Sequence, residues 1–289
     1  MNDISKKVIT THQNPDLDAI GSIWLLQRFD KSNYDNSSVT FVPAGEKISL
    51  KQLKDLKLDI TQITHVDTGG SEFDDHANNT GNSSAVLVFN YLKRQNPSLV
   101  EDKALGKVVG FIDKTDHFES YFWPEPTHDR YYFMLEHILN GYKLGGYGDD
   151  HDLVRLGITC LDGAYTIIKI YLEAEEEIKK GTIFNTKHGQ ALAVECSNDA
   201  VIKLAQKMGY TIVVRKDPEL GNLRIKAAPL PQIDLTPVWA KIQKLDTIGS
   251  WYFHPGKHML INGSKKNTDQ KPSPLTLTEA TEIIKTTLK

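Results

Sequence analysis

Four short clusters of histidine and aspartate stand out in the first 120 residues. The first is HQNPDLDAIGS, in which His12, Asp16 and Asp18 fall within seven residues. The second is HVDTGG, with Asp67 ahead of Gly69 and Gly70. The third is DDHAN, with Asp75, His76 and Asn78, and the fourth is DKTDH, with Asp113 and Asp116. Imidazoles and carboxylates without thiolates make a hard donor set, suited to Mn²⁺ or Mg²⁺ rather than to structural zinc. Two ions about 3.5–4 Å apart need one carboxylate that reaches both and separate ligands on either side, an arrangement that supports phosphoryl hydrolysis. Asp18, at a helix start, has an ordinary alternative role as an N-cap. A cap does not account for His12 and Asp16 beside it.

The elements around these clusters are those that place ligands at strand ends. Residues 7–11 (KVITT), 39–42 (VTFV) and 63–66 (ITHV) read as short strands, and the apolar stripe Ala19, Ile20, Ile23, Trp24, Leu25, Leu26, Phe29 reads as a helix. Residues 83–92 predict a second helix. Residues 108–112 (VVGFI) fit a buried strand or a helix end, which periodicity alone does not separate. Strands alternating with helices predict an α/β domain with a parallel sheet, and open sheets of this kind build sites at the carboxyl ends of their strands. Pro15 stiffens the first loop, and Gly69 with Gly70 permits a tight turn behind Asp67. Further on, residues 131–139 and 154–180 predict helices, the second ending in the charged run EAEEEIKK before Gly181. Residues 191–195, 211–215 and 223–227 predict strands of a smaller α/β domain, with a helix at 198–208 between two of them. Tyr131, Tyr132 and Phe133 are expected in the core. The division expected is 1–150, a linker helix at 151–181, and 182–289.

In order, HxxPDxDAxGS, VDTGG, DDHA and a later Asp resemble the four motifs of the DHH phosphoesterase superfamily. That superfamily includes RecJ-type exonucleases, oligoribonuclease/pAp phosphatases and family II inorganic pyrophosphatases. The short gap from Asp67 to Asp75 and the C-terminal segment look most like the Myg-type exonuclease branch. The resemblance implies a parallel-sheet DHH domain, a C-terminal substrate-binding domain and an active site in the cleft between them. It implies that His12 and Asp16 bind one Mn²⁺ or Mg²⁺ ion, that Asp18 and His76 bind a second, and that Asp67 bridges. Asp113 would complete the second site, with Asp116 as its rival. Asp75 would orient His76 from behind. One departure stands out: Ala77 occupies the place of the second histidine in the usual Asp-His-His, and Asn78 is a candidate to take over its contact with substrate phosphate.

The segment WYFHPGKHMLINGSKK near the C-terminus brings together His254, Lys257, His258, Gly263, Ser264 and Lys265. Glycine turns with lysines make an anion site, and the segment loosely resembles the substrate-binding motif of DHH proteins, although the usual glycine run is absent. An ordinary strand–turn–strand with solvated lysines is the alternative. The expected activity is metal-dependent hydrolysis of phosphodiester or phosphomonoester bonds in nucleotides or short single-stranded oligonucleotides. An inorganic pyrophosphatase or small-molecule phosphatase, and a catalytically impaired nucleotide-binding module, stay open as alternatives.

Composition sets the outer limits. Net charge is −3, so no global polycation grips nucleic acid, although a local basic patch is compatible with that sum. The two cysteines, Cys160 and Cys196, lack metal-site or disulfide spacing and fit free thiols in a reducing compartment. With no apolar signal region at the N-terminus and no apolar run of spanning length, the expected location is cytoplasmic, without a membrane partner; homodimerisation is left open.

Overall fold

The computed structural model describes residues 7–78, 81–263 and 269–289, and the chain divides into two compact units, Met1–Ile168 and Lys169–Lys289. In the first unit the strands β1 (Val8–His12), β2 (Val39–Val42) and β3 (Ile63–His65) form a parallel sheet in the order β2-β1-β3. The register pairs His12 with Val42, so β1 ends with His12 at the carboxyl edge of the sheet. A bridge between Val66 and Phe73 continues this edge beyond β3 and closes the loop that carries Asp67.

Helices α1 (Leu17–Phe29), α2 (Lys31–Tyr34), α3 (Leu50–Leu56), α4 (Asp75–Asn78), α5 (Ser84–Gln95), α6 (Lys103–Asp116) and α7 (Leu135–Leu144) follow in chain order around these strands, and α8 (Asp150–Lys180) crosses the division between the units. Every residue of α1 from Leu17 to Leu26 is buried. A helix apolar on all sides must be covered on all sides, and α1 packs against both α5 and α6. Gly21 lets α6 come close: a Cβ there would sit 2.6 Å from Ile112 Cδ1. Trp24 is buried against Phe29 and Tyr165, and its indole N–H donates to Asp162 at 2.8 Å.

The second unit carries β4 (Thr182–Thr186), β5 (Gly189–Glu195), α9 (Ala200–Lys207), β6 (Ile212–Lys216), β7 (Leu223–Ala227), α10 (Thr236–Leu245), β8 (Trp251–Phe253), β9 (Met259–Asn262) and α11 (Leu277–Thr287). Its sheet runs β4-β5-β6-β7-β9-β8, and only β5 and β6 pair in parallel, across α9. On one face Ile212, Val214, Leu223, Ile225 and Leu260 pack with Val238 and Ile242 of α10 and Ile283 and Ile284 of α11. On the other, Leu192, Val194 and Val213 pack with Val201 and Ala205 of α9 and Ala174 and Ile178 of α8.

Of the two alternatives open for residues 108–112 the structure takes the helix: they lie inside α6, with Asp113 and Asp116 in its last turn. Two expectations are corrected. The single helix expected at 131–139 is a 3₁₀ turn, Asp129–Phe133, followed by α7. Tyr132 and Phe133 are 62% and 79% exposed, so they are not core residues. Both cysteines are free, Cys196 buried and Cys160 half-buried. Among the described residues no helix is long and apolar enough to cross a membrane.

Trp24→Ala should cost about 3–5 kcal/mol, the usual penalty for emptying an aromatic site in a core. Trp24→Phe should cost less, because a ring remains to meet Phe29 and Tyr165 while Asp162 loses its donor. Urea denaturation followed by circular dichroism measures both losses; equal midpoints for the two variants would contradict this packing.

Candidate metal centre

The loop between β1 and α1 holds its ligands through helix capping. Asp16 is the N-cap of α1, and its Oδ1 accepts the amides of Asp18 and Ala19, each at 3.0 Å. That contact fixes the carboxylate and leaves Oδ2 free to turn elsewhere. Asp18 is 2% exposed and does not cap its own helix. Its Oδ2 accepts the Ser84 amide at 2.7 Å and its Oδ1 the Ala85 amide at 2.9 Å, so it anchors the start of α5. Each of these oxygens keeps a second lone pair.

Asp67 is the centre of the arrangement. It has φ +53, a left-handed conformation uncommon outside glycine. Its amide donates to the Phe73 carbonyl at 2.9 Å and to Ser84 Oγ at 3.0 Å, which holds the backbone in that conformation. The two carboxylate oxygens then face opposite histidines: Oδ2 lies 3.2 Å from His12 Nε2, and Oδ1 lies 3.9 Å from His76 Nε2. His76 lies in the first turn of α4, and its Nδ1 is 3.5 Å from Asp75 Oδ2. Asp74 shapes this turn, accepting the Gly70 amide at 2.6 Å and the His76 amide at 3.1 Å.

Two compact donor groups result, His12–Asp16–Asp67 and Asp67–Asp75–His76, each with its donor atoms within 4.8 Å of one another. Donors around one ion at roughly 2.0–2.6 Å are separated by no more than about 5 Å. Asp67 belongs to both groups. Asp18 and Asp116 stand beside them, close enough to act electrostatically on Asp67, Asp16 and Asp75.

The carboxylates of this cluster outnumber the cations that face them. Burial lifts the Asp67 carboxyl to about 6, against the hydrogen bond from His12 that favours its ionised form. Burial, reinforced by Asp75 and Asp16, lifts Asp116 to about 6. Burial and the charge of Asp67 hold Asp18 well above the usual carboxylate range. His12 is drawn up to about 9, chiefly by its hydrogen bond to Asp67. Asp75 Oδ1 is buried without a hydrogen-bond partner among the described residues. Among the described residues the ion pairs of Asp67, Asp75 and Asp116 are with histidines, and no lysine or arginine pairs with them. A divalent cation would supply the opposite charge, and the donor set is of the kind that suits Mn²⁺ or Mg²⁺.

The remaining sequence candidates fall in other places. Asp113 Oδ1 accepts the Ser83 amide at 3.0 Å and lies 3.5 Å from His117 Nδ1, so Asp113 braces the loop before α5. His65 Nε2 accepts the Ile48 amide at 3.0 Å, and burial lowers its pKa, as suits a neutral structural imidazole. Asn78 is the last residue of α4. In the second unit, residues 254–258 form the loop of the β8–β9 hairpin. There Lys257 pairs with Asp234 at 3.1 Å, and His258 meets the carbonyls of Gly256 and Leu230. His254 and His258 line a cavity of about 570 Å³ together with Gly256, Lys203, Lys207 and Lys226. Gly263, at φ +78, lies against Asn222, where a side chain has no room. Ser264 and Lys265 lie outside the described residues.

Sequence reasoning missed Ser84, Asp74 and the pair Lys143 and Asp150. Lys143 Nζ donates to the Asn14 carbonyl at 2.9 Å, and Asp150 Oδ2 accepts the Asn14 amide at 3.1 Å, pinning the His12–Asp16 loop. Asp150 is legible in the sequence only as part of an acidic helix start, a role shared with Asp149, which accepts the Asp152 amide at 2.9 Å.

No protein-family profile matches the chain, and no curated relative matches it. Among solved structures, a chain described as the DHH domain of a member of a family of ribosomal proteins is similar at 12% identity and a TM-score of 0.31, over 97% of this chain and 87% of that one. The assignment of the site rests on its own residues and their geometry.

Metal binding at this centre should release protons. A ligating imidazole must be neutral, and His12 holds its proton up to about 9. At about pH 7.5 filling the His12 position expels that proton; toward pH 5.5 Asp67 and Asp116 contribute more, so release grows and Mn²⁺ affinity falls as pH drops. Calorimetric titration in buffers of different ionisation enthalpy counts these protons. Binding without proton release near neutrality would contradict the His12–Asp67 assignment.

Proposed function

We propose that the chain is a metal-dependent phosphoesterase that cleaves phosphodiester or phosphomonoester bonds of nucleotides or short single-stranded oligonucleotides. One observation carries the proposal: Asp67 belongs to two ligand groups at once and turns a separate oxygen to each. The motif order and its resemblance to DHH phosphoesterases support the same reading.

His12, Asp16 and Asp67 would hold one Mn²⁺ or Mg²⁺ ion, and Asp67, Asp75 and His76 the other, with Asp18 and Asp116 completing the anionic shell. Such ions make a coordinated water acidic and neutralise charge on a phosphoryl group. The protein's own task is to keep the donors fixed, which the amides donated to Asp16 and Asp18 and the hydrogen bonds from the Asp67 amide achieve before any ligand arrives. His76, with its side chain 79% exposed, is the ligand open to incoming substrate. In the second unit, taken by itself, Lys203, Lys207, Lys226, His254 and His258 border one cavity, a set of donors for an anion. Asp116, whose carboxyl responds to Asp75 and Asp16, is a better ligand candidate than Asp113, whose Oδ1 is committed to the Ser83 amide.

A Mn²⁺-dependent hydrolysis screen across pAp, cyclic dinucleotides, short RNA and DNA, and inorganic pyrophosphate tests this reading. Turnover of nucleotide phosphoesters is expected. Turnover of pyrophosphate alone would replace it with a pyrophosphatase, and bound metal without any turnover would leave a nucleotide-binding module. On the turned-over substrate, Asp67→Asn and Asp116→Asn should lower kcat/KM by roughly a hundredfold or more, and Asp113→Asn, which keeps an acceptor oxygen for Ser83, by about tenfold or less.

A further inference from the structure

The loop between α7 and α8 reads LGGYGDD and presents Tyr147 to solvent at 75% exposure. Tyrosine in a glycine-rich loop is ordinarily a mobile surface group, and three features set this one apart. First, it is held in place. The Tyr142 hydroxyl donates to the Tyr147 carbonyl at 3.1 Å, and the two rings lie 5.9 Å apart at 55°. Second, the glycines around it are required by that packing. A Cβ on Gly145 would run into the Tyr147 ring, a Cβ on Gly148 would run into the Tyr142 hydroxyl, and Gly146 takes φ +66.

Third, the loop is clamped to the metal centre on both sides. Lys143, four residues before Tyr147, donates to the Asn14 carbonyl at 2.9 Å, and Asp150, three residues after it, accepts the Asn14 amide at 3.1 Å. Asn14 lies midway between His12 and Asp16 and has φ +52. The loop that carries the ring is therefore tied to the backbone segment that supplies two of the proposed ligands. A ring presented by an anchored loop loses less freedom on stacking with a flat ligand than one on a loose loop. Every nucleobase has a π face, so such stacking is tolerant of sequence.

We propose that Tyr147 is a substrate-positioning residue of the metal centre, stacking on the base of a nucleotide whose phosphate lies at the His12–Asp16–Asp67 group. The proposal rests on the phosphoesterase reading for the placement of the phosphate and adds the residue that meets the base of such a nucleotide. The stacked ring contributes binding and orientation and takes no part in proton transfer.

Equilibrium binding of AMP and of ribose 5-phosphate to the Mn²⁺-loaded protein separates the base from the phosphate and sugar. AMP should bind about tenfold more tightly than ribose 5-phosphate, as base stacking on an aromatic allows. Tyr147→Ala should bring AMP to the level of ribose 5-phosphate, leaving the latter's affinity and the Mn²⁺ content unchanged, and Tyr147→Phe should keep the difference. Equal binding of the two ligands by the wild type, no binding of AMP, or a parallel loss of both in Tyr147→Ala would overturn the proposal. So would a variant whose sole effect is dissociation of a dimer, since Tyr147 would then face a second copy of the chain. A base-dependent difference in a protein that hydrolyses no phosphoester would remove the phosphoesterase reading and leave this one standing; hydrolysis without the difference would do the reverse.

Discussion

A carboxylate withdrawn from water, with other carboxylates as neighbours, is unfavourable unless a cation joins it or it takes up a proton. Asp67 is in that position, 6% exposed, with Asp16 and Asp75 acting on it and His12 as its nearest cation. Much of the first unit makes sense as the means of holding this arrangement. The left-handed backbone at Asp67 is held by hydrogen bonds from its amide to Phe73 and Ser84. Asp16 is fixed by the first turn of α1, and Asp18 by the first turn of α5. Helix α1, buried from Leu17 to Leu26, connects these points through its contacts with α5 and α6. On the proposed reading, bound divalent cations would offset the strain at Asp67 and the like charges around it.

The carboxylates divide between supporting and ligating roles according to what their oxygens touch. Asp74 and Asp113 are spent on backbone amides of neighbouring turns. Asp16 caps a helix through Oδ1 and also belongs to the first donor group. Among the described residues Asp75 Oδ1 is buried without a hydrogen-bond partner. This partition gives each proposed ion fixed ligands with few degrees of freedom left to lose on binding.

The site is more legible in the sequence than the fold around it. His12, Asp16, Asp67 and His76 stand out because ligands must sit at strand ends, and short β-rich runs precede the first and the third. The anchoring of Asp18 is hidden, since Ser84 and Ala85 lie far along the chain and only tertiary structure joins them. Residues 108–112 are ambiguous because a short apolar run suits a strand or a buried helix equally; α6 settles the matter. Helix α10 begins with Pro237 in its first turn, a position that favours helix starts but reads as a breaker. Helix α11 carries a capping box, Thr276 with Glu279, that a search for apolar periodicity alone overlooks. Tyr147 gives no periodic signal at all, because its placement depends on glycines and on the clamp at Asn14.

The central claim is that Asp67 joins two cation sites. Anomalous diffraction from crystals grown with Mn²⁺ tests it most directly. The account predicts two peaks, one on each side of Asp67, each at a coordination distance of roughly 2.0–2.6 Å from a different carboxylate oxygen, with His12 and Asp16 on one and Asp75 or His76 on the other. A single peak, or Mn²⁺ bound away from Asp67, would contradict it.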